Sequence, residues 1–541
     1  MHPPSVGESS GDTLRMYTSN DVWRIRTLGE DTFTFEVETG DLDRIRLETA
    51  FMLSRRGRPI AARFDLDRET GLLQARIPHE GGRVTTAAII LQATLPRIGE
   101  LKLSTTQLPP REQPYDLMLE LARERLRQYL QKCEDWQMFA PTVAPQAVAC
   151  FNEARELLSQ AVLATDRAQE MALARDSIVK AVQAGEMLAT RRADLLLHHR
   201  YNHSKAAPTT LGFRVDPNRT PPETVPEGLS EFGVAMIETP WHSVQPTEKG
   251  FEFGAIDAWM DWADRLKIPV ILGPLVDLRP EVVPEWVIAS DTSYGTLGPL
   301  LWAYSGALAA RYARRPAIWC VTSGVHVNRV ATLTDTQMID LTRRVSVLVR
   351  QADRNARTLV ELVQPFNDDV AACPGSVPAF NYASRTLDEG VHVDCFGLRL
   401  RCGFATNGSE TRDLLSYSDA LDQIGRLERP LLLTGLSAPA SDAGPGSGSW
   451  RQPWCETQQA LWASSMMGVA LGKLTHRGES RRSRLSGVFE GVLWSALHDC
   501  PVEGSIGLLH EDGTPRKVLT QLAKIRRALR TPLRSESGTT R

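Results

Sequence analysis

The sequence predicts a (β/α)8 TIM barrel that follows an N-terminal antiparallel β-domain and a helical spacer. Between about residues 208 and 530, eight short and nearly continuous apolar segments alternate with helical segments. Such strands are typical of parallel sheets that helices cover on both faces, and eight strand–helix units in this length suit a closed barrel. Residues before 108 instead show period-two alternation, and residues 109–207 show helical periodicity.

The N-terminal region carries β-branched and aromatic runs separated by glycine-containing turns. The strand candidates are residues 32–38, 44–53 and 83–92. Short alternating strands with regular turns predict an antiparallel sandwich or barrel. After three prolines, residues 115–136 place leucines near one stripe of a helix and charges opposite. These leucines are Leu117, Leu121, Leu126 and Leu130.

The barrel strands are predicted from apolar runs that end in polar or glycine residues. The eight runs are residues 210–215, 232–238, 268–273, 317–323, 357–363, 393–400, 430–436 and 491–497. A doubly wound open sheet is the alternative, but no glycine-rich phosphate turn follows the first strand. The predicted domains are 1–108, 109–207 and 208–530, followed by a disordered tail at 531–541.

Composition narrows the classes of function. A net charge of −3 gives no electrostatic reason to expect nucleic acid or an anionic membrane as partner. No apolar run approaches the roughly 20 residues of a membrane span, and the polar first dozen residues show no secretory signal. The eight scattered cysteines predict buried, reduced thiols and a cytoplasmic location. No metal ligands stand at zinc-site spacing, and no cofactor is expected. The oligomeric state stays open.

Four fragments of the barrel region resemble glycoside hydrolase family 10, the endo-β-1,4-xylanases. The first is the segment after the second strand, "IETPWHSVQPTEKGFEFGAIDAWMDWADRL". The residues of this segment that match the family frame are Trp241, Pro246, Gly250, Phe251, Phe253 and Asp257. The others are "LAARYARRPAIW" with Trp319, "VDCFGLRLR" at the sixth strand and "LWSALHD" at the eighth. The resemblance implies a sugar-binding barrel and does not extend to the first 200 residues.

The chain departs from the family at the positions that carry chemistry. The resemblance implies an Asn-Glu pair at the end of the fourth strand, where this chain has Ser323-Gly324. It implies a second glutamate in the seventh strand, where this chain has Gly435. A retaining glycosidase needs two carboxyl groups about 5–5.5 Å apart, and glycine supplies neither. Pro240, Pro274, Arg399 and Arg401 replace further polar sugar ligands of the family.

The expected ligand-binding residues are those left near the mouth. Trp241 and Trp494 keep the family's register, and Ser323 stands where the family has its asparagine. Arg399 and Arg401 lie two apart and so share a face, where they bind an anionic group or pair with Asp394 or Glu410. Trp450, with Trp454, lies in a glycine-rich loop that is either a lid stacking on sugar or a mobile insertion whose tryptophans bury on the barrel rim.

Other carboxylates at strand ends could form a relocated acid pair or serve as caps and anchors. They are Asp216, Glu238, Asp277, Glu490 and Asp499. His326, beside Asn328, is either a structural hydrogen-bonding group or a base. The basic stretch at 476–487 is expected to be a solvated charge run on the opposite rim.

Three functions follow. The leading hypothesis is a catalytically degenerate barrel that binds carbohydrate or acts as a scaffold. As a binding protein, it is expected to bind acidic oligosaccharides in preference to neutral xylan. The second is an active glycosidase or lyase with displaced carboxylates. The third is a structural interaction module with a vestigial mouth.

Overall fold

A computed structural model describes residues 30–78, 84–203, 210–474, 491–499 and 504–530. The stretch at 476–487, Glu490 and the tail at 531–541 lie outside the described residues. Among the described helices, none combines the length and apolar character needed to cross a membrane.

The N-terminal region is built of two facing sheets. Its strands are β1 (Glu30–Glu36), β2 (Ile45–Ser54), β3 (Pro59–Ile60), β4 (Arg63–Asp67), β5 (Leu72–Pro78), β6 (Ala87–Leu95), β7 (Gly99–Ser104) and β8 (Tyr115–Asp116). One sheet has the order β4-β5-β1-β8, and the other contains β7-β6-β2-β3. Phe33 and Phe35 of the first sheet share a core with Ile89 and Leu91 of the second. The predicted antiparallel sheets are therefore confirmed, apart from a short parallel pairing of β1 with β8.

Three helices connect the sheets to the barrel. They are α1 (Leu117–Trp136), α2 (Pro145–Leu163) and α3 (Arg167–His203). Asp116 caps α1 by accepting a hydrogen bond from the Leu119 amide, 2.9 Å long. Leu117, Leu121 and Leu126 are buried, but Leu130 is 45% exposed, so the predicted stripe is wrong at its last member.

The barrel region supplies ten strands, of which eight close on themselves. They are β9 (Thr210–Val215), β10 (Val234–Ile237), β11 (Val270–Leu272), β12 (Val276–Asp277), β13 (Ile318–Ser323), β14 (Thr358–Val363), β15 (Cys395–Arg401), β16 (Leu431–Ser437), β17 (Ser449–Trp450) and β18 (Gly491–Trp494). The barrel strands in order are β9, β10, β11, β13, β14, β15, β16 and β18. All pair in parallel, and β18 returns to β9, so the predicted (β/α)8 barrel is confirmed.

Helices surround these strands. They are α4 (Trp241–Val244), α5 (Gly254–Leu266), α6 (Glu285–Ile288), α7 (Tyr294–Tyr312), α8 (Asp335–Ala352), α9 (Asp368–Ala372), α10 (Ala379–Asp388), α11 (Leu414–Gly425), α12 (Glu456–Leu474) and α13 (Lys517–Arg530). The capping box of α8 shows how local sequence sets a boundary: Thr334 accepts from the Gln337 amide while Gln337 accepts from the Thr334 amide.

The lumen of the barrel is apolar at its amino-terminal end. Its core is a separate cluster of nine buried residues: Val234, Met236, Ile271, Ile318, Cys320, Leu359, Cys395, Leu432 and Leu493. Gly212 and Gly397 leave room for this cluster, because a Cβ on Gly212 would lie 2.3 Å from Val234 Cγ1. Further along, the inward positions become charged, and that change marks the start of the mouth.

The N-terminal sheets are joined to the mouth side of the barrel. Strand β17, from the loop after the seventh barrel strand, pairs with β7 and extends its sheet. The predicted boundaries at 108, 207 and 530 stay predictions; this sheet takes strands from before residue 108 and from after residue 207. Buried charges reinforce the junction: Lys102 Nζ lies 2.6 Å from Asp368 and 2.7 Å from Glu410, with all three side chains fully or almost fully buried.

We expect Lys102→Met to lower the free energy of unfolding by about 3–5 kcal/mol, because it leaves the buried Asp368 and Glu410 carboxylates without their shared cation. Urea denaturation at pH 7 measures this, with Lys524→Met on the exposed face of α13 as the matched control. A loss equal to that of the control would contradict a structural role for the junction charges.

Candidate functional site at the barrel mouth

The carboxyl ends of the barrel strands open into a cavity of about 410 Å³. Residues following all of the barrel strands except the seventh line it. This is the end of a (β/α)8 barrel at which enzymes of this fold place their active sites. It is therefore the candidate functional site.

A buried ion cluster forms the floor of this cavity. Arg214 projects into the lumen from β9, and its side chain is 1% exposed. Its Nε donates to Glu238 at 2.8 Å, while Nη1 donates to the fully buried Glu361 of β14. Ser323 completes the cluster by donating its hydroxyl hydrogen to the second Glu361 oxygen. One cation thus joins the first, second and fifth strands.

The cluster fixes the charge of Glu361. Burial alone would raise the pKa of its carboxyl, but the Arg214 and Arg399 guanidinium groups and the Ser323 hydrogen bond together lower it to about 2. Glu361 is therefore an anion at neutral pH with no exposed surface. A carboxylate of this kind holds neighbouring groups in place and does not exchange protons with a ligand.

Gly324 and Gly435 lie at the carboxyl ends of the fourth and seventh barrel strands, and both positions are crowded. Gly324 has φ +59°, and a Cβ there would lie 3.0 Å from Val363 Cγ2. A Cβ on Gly435 would lie 2.9 Å from Arg399 Cγ and 3.1 Å from Ser495 Oγ. A side chain at either position therefore requires its neighbours to shift.

Both predicted arginines line the cavity. Arg399 is 5% exposed and lies in register with Gly435. Arg401 is more exposed, and its guanidinium group stacks on Phe404 at 4.4 Å from the ring centre. Asp394, one of their suggested partners, precedes β15 at the opposite end of the strand and binds Arg350 at 3.0 Å.

The structure places Trp241 and Trp494 away from the cavity. Trp241 is 2% exposed, donates to Gln245 at 2.9 Å and packs on Tyr304. Trp494 is 1% exposed and donates to the Ile506 carbonyl at 2.7 Å. Both belong to the core between strands and helices. As sugar-stacking residues they are wrong, because neither ring presents a face to the mouth.

Trp450 is also wrong as a ligand-binding residue. Its side chain is 1% exposed, and its indole N–H donates to Glu186 of α3 at 2.6 Å. Trp454 is likewise buried and donates to the Gly448 carbonyl at 3.0 Å. The buried tryptophans agree with the second of the two predicted alternatives, but the loop is fixed to the N-terminal sheet and to α3.

His326 and Asn328 are structural. The Val363 amide donates to His326 Nε2 at 3.2 Å, so the ring hydrogen lies on Nδ1 and is donated to the Val377 carbonyl. Burial lowers the pKa of His326 to about 4. Asn328 closes its own loop through two hydrogen bonds with Leu333. The predicted structural role of His326 is supported over that of a base.

The candidate carboxylates all reach the cavity, apart from Glu490, which lies outside the described residues. Asp277 binds Arg279 at 2.8 Å, and Asp499 accepts from the Gly507 amide at 2.8 Å. Asp216 follows β9 and Glu238 follows β10, adjacent in the sheet. Desolvation in the cavity and the nearby Glu238 carboxylate raise the pKa of Asp216, against hydrogen bonds from Asn218.

Sequence reasoning missed Arg214, Glu361, Gln364 and Ser495. The first two had a visible signal: each is a single charged residue inside an otherwise apolar strand, "TLGFRV" and "TLVELV". Two opposite charges on inward positions of buried strands predict an ion pair in the lumen, since an unpaired charge there is costly. Gln364 and Ser495 carried no comparable signal.

Comparisons with known proteins give structural matches only. No protein-family model and no curated protein matches this chain. A family 10 glycoside hydrolase structure from Paenibacillus barcinonensis is 16% identical in sequence, with a TM-score of 0.43. The alignment covers 59% of this chain and 95% of the Paenibacillus chain. Xylanase 10B from Thermotoga petrophila, solved in complex with xylobiose, is 14% identical in sequence, with a TM-score of 0.44. That alignment covers 63% of this chain and 97% of the xylanase chain. At such identities and TM-scores, ligand and activity do not transfer from these proteins.

We expect Glu361→Gln to lower the free energy of unfolding at pH 7 by about 3 kcal/mol, from the lowered pKa of Glu361. Because the folded pKa lies below the unfolded one, this stability is present above about pH 4.5 and is lost as the pH falls towards 2. Urea denaturation between pH 3 and 7 should therefore show a shallower pH dependence in the variant. The exposed Glu248→Gln is the control, and equal slopes for wild type and Glu361→Gln would contradict the assignment.

Proposed function

We propose that this protein is a xylanase-like barrel that binds carbohydrate at its mouth and does not catalyse retaining glycoside hydrolysis. The observation that carries the proposal is the surroundings of Gly435. A Cβ at residue 435 would lie 2.9 Å from Arg399 Cγ and 3.1 Å from Ser495 Oγ, and Arg399 is held beside the ionised Glu361. The mouth therefore differs from that of a xylanase in the side chains packed beside Gly435 as well as in the two missing carboxyl groups.

Binding is supported by the polar groups that the cavity offers. Its volume falls in the range of ligand pockets in proteins. Gln364, Ser409 and Ser495 line it with amide and hydroxyl groups, and Arg399 and Arg401 line it with guanidinium groups. Sugar hydroxyls both donate and accept hydrogen bonds, so this lining favours a hydroxyl-rich ligand.

The hydrolysis prediction is direct. We expect no release of sugar from xylan or aryl-xylosides, and none from a double variant Gly324→Glu, Gly435→Glu, because Arg399, Ser495 and Val363 obstruct both new side chains. Reducing-sugar and chromogenic assays on freshly purified protein measure this. Turnover by the wild type near the rates typical of enzymes, on the order of 1–10³ s⁻¹, would refute the proposal. Hydrolytic activity in the double variant would refute the claim that the side chains around Gly324 and Gly435 prevent catalysis.

The binding prediction uses xylobiose and glucuronic-acid-bearing xylo-oligosaccharides in calorimetric titrations. We expect Gln364→Leu to weaken binding about tenfold, since it removes a hydrogen bond and leaves a ligand hydroxyl unpaired. The exposed Gln423→Leu of α11 is the control. If no oligosaccharide binds the wild type, the carbohydrate-binding proposal fails and the structural-module hypothesis stands.

The second candidate function is a glycosidase that uses Asp216 and Glu238. One observation favours it: the two carboxylates end adjacent strands, and the pKa of Asp216 is raised while Arg214 binds Glu238. The same assays discriminate. Product release that disappears in both Asp216→Asn and Glu238→Gln would support this candidate over simple binding.

A further inference from the structure

The charged residues around the mouth are not mixed but divided between its two halves. The half formed by residues after the eighth, first, second and third strands carries five acids. They are Asp216, Glu238, Asp277, Glu281 and Asp499. Two arginines, Arg219 and Arg279, lie among them.

The half formed by residues of the fourth to sixth strands and their loops has the opposite sign. Its charged lining residues are Arg329, Arg399 and Arg401, and no aspartate or glutamate among the described residues lines the cavity on this side. The two glycines at the strand ends contribute to this asymmetry. Gly324 lies in the arginine half, and Gly435 lies directly behind Arg399.

The counter-charges that balance individual groups lie beneath the walls. Arg214 lies under Glu238, Glu361 lies near Arg399, and Asp369 binds Arg329 at 3.0 Å. These contacts, together with those of Arg279 to Asp277 and of Arg516 to Asp499, hold the wall groups in fixed positions. At the rim, the exposed Glu281 faces the cavity from the acidic half. Arg401, stacked on Phe404, faces it from the basic half.

A cavity with walls of opposite sign favours a ligand with a matching dipole. An ammonium group is stabilised beside the carboxylates, and a carboxylate or sulfate group is stabilised beside the arginines by charge-assisted hydrogen bonds. A ligand with only one sign of charge gains at one wall, whereas one with both signs gains at both. Opposite walls thus select for charge arrangement, as complementary potentials do at protein interfaces.

We propose that the mouth binds a zwitterionic saccharide, in which an amino sugar carrying a free amine is joined to a uronic acid. The inference rests on the proposed carbohydrate-binding function and specifies its ligand class. It replaces the expectation of a preference for purely acidic sugars, because the acidic half of the mouth opposes a second anionic group.

The test compares four disaccharides by calorimetric titration of the full chain. They are glucuronosyl-glucosamine with a free amine, its N-acetyl form, glucosyl-glucosamine and neutral xylobiose. The N-acetyl form keeps the skeleton and removes only the positive charge. We expect the zwitterionic disaccharide to bind about tenfold more tightly than any of the other three, as one added charge-assisted hydrogen bond allows.

Two variants assign the ends of the ligand. Arg401→Gln should weaken the binding of glucuronosyl-glucosamine and of its N-acetyl form, and it should leave the affinity for glucosyl-glucosamine unchanged. Glu281→Gln should weaken the binding of the two disaccharides that carry a free amine, and it should leave the affinity for the N-acetyl form unchanged. Arg426→Gln and Glu223→Gln, which are exposed and outside the cavity, are the matched controls and should change nothing.

The outcomes separate the two proposals. If xylobiose or the N-acetyl form binds as tightly as the zwitterionic disaccharide, the dipolar inference is overturned while carbohydrate binding stands. If Arg401→Gln and Glu281→Gln each affect all charged ligands alike, the two-walled assignment is overturned. If none of the four disaccharides binds, both proposals fail together.

Discussion

The ion cluster around Arg214 is the constraint on which the mouth of this barrel depends. A guanidinium group in the lumen needs anionic partners, because an unpaired buried charge costs several kcal/mol. Glu361 and Glu238 supply them from two other strands. Ser323 then turns towards Glu361, and Arg399 lies close enough to lower its pKa. With Arg399 in that position, a Cβ at residue 435 would lie 2.9 Å from Arg399 Cγ, so a larger residue there requires Arg399 to shift.

The same cluster explains why Glu361, although it lies in the centre of the barrel, is unsuited to general acid catalysis. A general acid needs a pKa near the working pH and contact with its substrate. Glu361 has neither, since its pKa is about 2 and its side chain is fully buried. The groups that do reach the cavity include arginines, amides, hydroxyls and five carboxylates. The arginines, amides and hydroxyls fit the proposed binding of a polar saccharide.

The N-terminal sheets and α3 hold the loops around this mouth. Strand β17 extends an N-terminal sheet, Trp450 donates to Glu186, and Lys102 binds acids that follow the fifth and sixth barrel strands. These contacts lie on the same side of the barrel as Arg399 and Arg401. A pre-formed site loses less conformational entropy on binding, so these contacts favour the proposed binding of a saccharide at the mouth.

The sequence by itself determined the order of elements and the closed parallel barrel, because apolar periodicity and turn residues act locally. The segment "TLGFRV" forms the strand Thr210–Val215 over its whole length, and Gly324 and Gly435 lie at strand ends as predicted. The tertiary structure alone decided which way side chains face. Trp494 follows the inward Leu493 and so points into the helical layer, where the Ile506 carbonyl accepts its N–H. Register shifts place an extra residue in β13 and in β16 and move the inward face of each by one position. Trp450 finds its partner Glu186 on α3, 264 residues earlier in the chain. Contacts of that sequence separation come from packing between distant segments, which local patterns do not encode.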